Sequence, residues 1–131
     1  MIKGNADNSP LADRFRIDPV VTRGCVQRNY RSELMRAGQR VVFWASGSRS
    51  RSVPYGVWGL GQLTGAAALD DEGRWSAHLE LEILPETQRL TREAFRADPR
   101  LAASEVLVQP QAGNPSFLTV AEFAALREHL E

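Results

Sequence analysis

A chain of 131 residues, 43% hydrophobic and 24% charged, with 16 Lys/Arg against 16 Asp/Glu, has the make-up of one ordinary folded domain, residues 1–131, and excludes disordered and fibrous classes. No apolar run approaches the roughly 20 residues that cross a bilayer, and the N-terminus lacks the basic start and apolar core of a signal peptide, so a cytoplasmic protein is expected. The single cysteine, Cys25, excludes an internal disulfide and a cysteine-rich zinc site, which leaves packing to hold the fold.

The zero net charge conceals an asymmetry. Residues 1–65 carry ten Lys/Arg and four acids, whereas residues 66–131 carry six and twelve. Clustered arginines of this kind suit a polyanion, because they neutralise phosphates and release counterions; interleaving of the two halves on a mixed surface is the alternative.

In chain order, Ile2 to Asn5 reads as a short strand, and the stretch from Ser9 to Asp18 spaces Leu11, Phe15 and Ile17 as one or two helical turns would. Asn29 is a good N-cap, and Gly38 is the usual stop, for a helix of about two turns through Tyr30, Leu34 and Met35. Arg40 to Ser46 is dense in β-branched and aromatic residues, as a largely buried strand is. Tyr55 to Thr64 alternates apolar residues with glycine, which marks a bulge or a close approach within a strand.

From Trp75 to Ile83 the alternation is clean, with Trp75, Ala77, Leu79, Leu81 and Ile83 on the buried face, and Asp70 to Gly73 supplies the connection of an antiparallel pair. Thr91 and Asp98-Pro99 read as two helix starts. Val106 to Gln109 reads as a strand, and Thr119-Val-Ala-Glu122 as a capping box opening a terminal helix with Leu118, Phe123, Leu126 and Leu130 inward. This order predicts an α+β fold: a curved mixed sheet or small open barrel with short helices outside.

Catalytic signatures are sparse. There is no Gly-rich phosphate loop and no nucleophile elbow, and the two histidines, His78 and His129, fall on segments that read as exposed, so neither a metal nor another cofactor is expected. Cys25 has no identifiable partner histidine and reads as a small buried hydrophobe. Tyr30, Trp44, Tyr55 and Trp58 lie among Arg28, Asn29, Arg31 and Ser46 in the basic half. Flat rings stack on bases while amides and hydroxyls read base edges. The pattern alone also reads Trp44 and Trp58 as core residues of adjacent strands.

Cys25-Val-Gln-Arg-Asn-Tyr-Arg-Ser-Glu-Leu34 followed by Met35-Arg-Ala-Gly-Gln-Arg-Val-Val-Phe-Trp-Ala-Ser46 resembles the EVE-domain pattern. The likeness continues through Tyr55-Gly-Val-Trp-Gly-Leu-Gly-Gln-Leu-Thr64, Ala97-Asp-Pro-Arg-Leu101, Val106-Leu-Val-Gln109 and Leu118-Thr-Val-Ala-Glu-Phe123, in the family's order and over most of the chain. The resemblance implies a PUA-like barrel, related to the YTH and ASCH domains, that reads modified bases in DNA or RNA. It implies a pocket of Lys3, Asn29, Trp44, Ser46 and Trp58, with Gln109 and Pro110 at the rim. The chain departs from the pattern at Asn5, Ala6 and Gln39.

The leading expectation is therefore a non-catalytic module. A base would stack on Trp44 or Trp58, Asn29 and Ser46 would bond its edge, and Arg28, Arg31, Arg49 and Arg51 would hold flanking phosphates. One alternative is an ASCH-like hydrolase or nuclease with Lys3 and Glu33 as general acid and base. Another is a domain whose arginine-rich face meets an acidic protein surface.

Overall fold

A computed structural model describes residues 1–5, 20–26, 30–46, 55–108 and 116–130, with the backbone only of Lys3, Gly4, Asn5, Arg23, Cys25, Tyr30, Arg31, Ser46 and Glu86. The expected helical turns between Ser9 and Asp18 lie outside these residues. Among the described residues, seven strands form one mixed sheet: β1 (Ile2–Asn5), β2 (Val20–Cys25), β3 (Arg40–Ser46), β4 (Gly56–Leu63), β5 (Ala68–Leu69), β6 (Trp75–Ile83) and β7 (Leu90–Thr91). The main path is β1-β3-β4-β6-β2, with β5 on β6 and β7 on β4; β1 and β3 run parallel and the other pairs are antiparallel.

Both faces of β3 are buried, which is why its sequence is a continuous apolar run rather than an alternation. Val41, Phe43 and Ala45 join Ile2, Val21, Trp58, Leu79, Leu81 and Ile83 in an inner core drawn from all five strands of the main path. Val42 and Trp44 join Val57 and Leu90 beneath the helices. The sheet curls far enough that Gly24 of β2 lies against the Ile2 side chain of β1, where an added Cβ would meet Ile2 Cδ1 at 3.2 Å. No ladder joins these two edge strands among the described residues, so the sheet is open rather than closed into a barrel.

Four short α-helices lie among the described residues: α1 (Tyr30–Glu33), α2 (Arg92–Ala97), α3 (Glu105–Val108) and α4 (Val120–Leu130). The helix expected from Asn29 onward is thus a single turn, anchored to β6 by the Trp75 indole N–H, which donates to the buried Ser32 hydroxyl at 2.9 Å. Gly38 still provides the turn, at φ 89°. The Thr119 and Glu122 capping box forms as read: each side chain accepts from the other's backbone N–H, at 3.0 and 2.9 Å. Phe95, Leu101, Val106 and Leu126 fill the helix-side core, with Leu118, Phe123 and Leu130 packed against it.

Two expectations are corrected. Val106 to Val108, read as strand, lies in α3, because Val106 is buried in the helix-side core while Val108 is exposed, and the Ser104 carbonyl accepts from both Leu107 and Val108 N–H groups. The second helix start, at Asp98-Pro99, produces only a helical turn, in which Leu101 and Ala102 donate to the Asp98 carbonyl.

Candidate functional site

The parallel register of β1 and β3 sets Lys3 beside Trp44 and Asn5 beside Ser46, at the C-terminal ends of both strands. Opposite them, β4 enters with Gly56 against Ala45 and Val57 against Trp44. The next pair is Phe43 with Gly59, so Trp58 is the extra residue of a β-bulge. Its carbonyl instead accepts from Leu84 N–H at 2.7 Å, beyond the end of β6. Three separated segments are thereby brought to one end of the sheet with their polar and aromatic positions adjacent.

The bulge also explains the glycines that alternate along β4. It turns Trp58 and Gly59 toward the same inner core, where a Cβ on Gly59 would come within 2.9 Å of Leu81 Cδ2 and 3.1 Å of Ile83 Cδ1. At Gly61 an added Cβ would collide with the Glu80 carbonyl. The partner that approaches these glycines is β6.

Trp44 and Trp58 do not face one another. Trp44 is 4% exposed on the helix side of the sheet, and its ring meets Phe95 edge-on, with centroids 5.2 Å apart and planes at 71°. Trp58 is 2% exposed on the inner side, and the Arg89 guanidinium carbon lies 4.1 Å above its ring centroid. Arg89 is held by its Nε, which donates to the Leu84 carbonyl at 2.9 Å. A planar cation thus already occupies a stacking position on Trp58, a favourable arrangement electrostatically. Sequence reading missed Arg89, since its neighbours in the chain carry no sign of an aromatic contact 31 residues away.

Asn29, Gln109, Pro110, Arg28, Arg49 and Arg51 lie outside the described residues, and Arg31 is described as backbone in α1. Glu33 is exposed at the end of α1, where its carbonyl accepts from Arg36 Nη1 at 2.6 Å. Tyr55 is half-buried, with Arg92 Cζ 5.8 Å from its ring centroid. His78 is exposed on the outer face of β6. Among the described residues, no group of three or more His, Cys, Asp or Glu side chains could hold a metal ion. No described helix is long and apolar enough to cross a membrane.

A second polar cluster was not expected. Asp98, whose side chain is 8% exposed, accepts from Arg100 Nη2 at 2.8 Å and lies 2.8 Å from His129 Nε2, while Arg100 Nη1 reaches Glu128 at 2.7 Å. The Arg100 side chain above all, then His129 and the Arg100 backbone N–H, hold the Asp98 carboxyl well below its usual value of 3.8. A folded-state value below the unfolded one means that the stabilisation is complete above the ordinary carboxylate range and is lost as pH falls beneath it. Asp98→Asn is expected to unfold at a lower temperature than the parent at pH 7, with the gap closing as the pH drops below 3.8; a constant gap in melting scans would contradict this role.

No family model matches the chain, and no curated protein matches it either. Solved structures do. A crystal structure of a Pseudomonas syringae protein superposes with a TM-score of 0.67 at 18% identity, over 97% of this chain and 95% of that one. An NMR structure of a Rhodopseudomonas palustris protein gives 0.68 at 17% identity, over 99% and 90%. A Pseudomonas putida crystal structure gives 0.68 at 15% identity, over 100% and 98%. At such identities the likeness is one of fold, and this open α+β sheet with its short outer helices is therefore an arrangement shared, over nearly the whole chain, with experimentally solved bacterial proteins.

Proposed function

We propose that the chain is a PUA-like module of EVE type that holds a nucleobase, modified in the DNA or RNA that carries it, and performs no chemistry on it. The observation that carries this reading is the meeting of the β1–β3 register with the β4 bulge, which gathers the positions of Lys3, Trp44, Ser46 and Trp58 at one end of the sheet. The curled open sheet supports the PUA-like assignment, and the basic first half of the sequence supports a polyanionic partner.

Trp58 is the stacking ring in this account. Trp44 is packed edge-on by Phe95 within the helix-side core, whereas Trp58 already carries a flat, delocalised group on its face in Arg89. A base taking or sharing that position stacks in the same manner. Lys3, Asn29 and Ser46 bond its edge, Gln109 and Pro110 form the rim, and Arg28, Arg31, Arg49 and Arg51 contact the flanking phosphates. Stacking supplies about 1–3 kcal/mol per base, so the phosphate contacts provide much of the affinity.

Fluorescence anisotropy with short labelled oligonucleotides, unmodified and carrying single modified bases, at 50 and 200 mM salt, tests the reading. Preference for one modification at both salt concentrations, with overall binding weakened at the higher one, is the expected result. Equal binding of every oligonucleotide, or no binding at either concentration, would overturn it.

A further inference from the structure

At the opposite end of the sheet from Trp58, where β1 and β3 begin and α4 starts, lies an open apolar groove of about 530 Å³, within the size range of small-molecule sites. Six large hydrophobic side chains are exposed among the described residues, and three of them, Leu34, Phe117 and Val120, line this groove. Convergence of exposed apolar groups on one concavity marks a binding surface more strongly than the same residues scattered singly.

The polar groups of the groove favour a negative charge. Arg40 is exposed on its lining and has no ion pair among the described residues. Ser116, 2% exposed, also lines it, and its hydroxyl has no hydrogen-bond partner among the described residues although the backbone of Ser116 is fully engaged with Met1. A buried hydroxyl left without a partner is destabilising unless a ligand or water satisfies it. The first turn of the eleven-residue α4 opens onto the same groove at Thr119 and Val120, and helix N-termini favour anions. Two carboxylates lie beside it, and each is engaged by a backbone N–H: Glu122 accepts from Thr119 and Glu105 from Phe117.

We infer that this groove binds an amphipathic monoanion, a straight-chain alkyl carboxylate, with its tail along Leu34, Phe117 and Val120 and its head group at Arg40. This site stands apart from the base pocket and does not depend on that reading. The other formal charge on the groove's lining, the Met1 ammonium, donates to the Ser116 carbonyl, so Arg40 is the group that sets the preference for an anionic head.

NMR titration of the full chain with octanoate, decanoate and decyltrimethylammonium, each below its micellar concentration, tests the proposal. Saturable shifts at Leu34, Phe117 and Val120 are expected with the carboxylates. Binding should tighten about fourfold per added methylene, since each buried CH₂ is worth about 0.8 kcal/mol. Arg40→Gln, at an exposed position, should weaken decanoate at least fivefold while leaving the rest of the spectrum in place, and Val120→Glu, at a site 89% exposed, should do the same by charge repulsion. Absence of saturable shifts, equal binding of the cationic amphiphile, or indifference to both substitutions would overturn it.

Discussion

Gly56→Ala is expected to destabilise the fold by about 3 kcal/mol or more, combining a strained backbone with overpacking. Gly56 has φ 148°, which L side chains rarely adopt, and an added Cβ would run into the Leu90 carbonyl and lie 3.0 Å from Arg92 N. It is clamped between two ladders, opposite Ala45 of β3 and Thr91 of β7, and the Tyr55 carbonyl beside it accepts from Arg92 N–H at 2.8 Å. Relief by local movement would therefore have to shift β7 and the start of α2. Denaturant titration of the variant measures the loss. A change under about 1 kcal/mol would mean that this corner of the sheet is looser than the ladder pattern requires.

Trp44→Ala is the second large effect, at about 3–5 kcal/mol, because the ring is almost fully buried and its removal leaves a cavity beside Phe95 in the helix-side core. A double-mutant cycle with Phe95→Ala isolates the edge-on ring pair, for which about 0.5–1.5 kcal/mol of coupling is expected. The stability loss has a functional corollary. Failure of a Trp44→Ala protein to bind nucleic acid would report a damaged core, so the stacking question has to be put to Trp58 by a substitution that keeps a ring in place.

Strands β3, β4 and β6 were legible because their signals are local. β-branched density, the glycine alternation and the period-two pattern from Trp75 to Ile83 each survive into the structure, as does the Thr119 and Glu122 capping box. Ser76 is a partial exception, since it lies on the polar face of β6 and is nonetheless fully buried. The segment from Val106 misled because a β-branched composition describes what fits a pleated, half-buried surface, while here one buried valine anchors a single helical turn.

The candidate site was legible as a set of residue types and not as a geometry. Sequence placed Trp44 and Trp58 on adjacent strands, but the bulge that seats Trp58 in the inner core depends on register with β3 and β6. The Arg89 cation over Trp58, and the ion-pair cluster joining Asp98 and Arg100 to Glu128 and His129, span about thirty residues of chain and leave no local trace. The orphan hydroxyl of Ser116 and the groove it lines are likewise properties of three dimensions alone.

Stacking on Trp58 is the central claim, and tryptophan fluorescence reads it directly. The chain has three tryptophans; Trp44 lies on the opposite, helix side of the sheet and the Trp75 indole is tied to Ser32, so a base that takes the Arg89 position on Trp58 should quench a signal assignable to that ring. The measurement is a titration of the parent and of Trp58→Phe with an oligonucleotide carrying the preferred modified base, with anisotropy recorded on the same samples. The account predicts strong quenching in the parent and its disappearance in Trp58→Phe, while anisotropy still reports binding within a few-fold because phenylalanine preserves a stacking face. Quenching that persists unchanged in Trp58→Phe, or binding without any quenching in the parent, would contradict it.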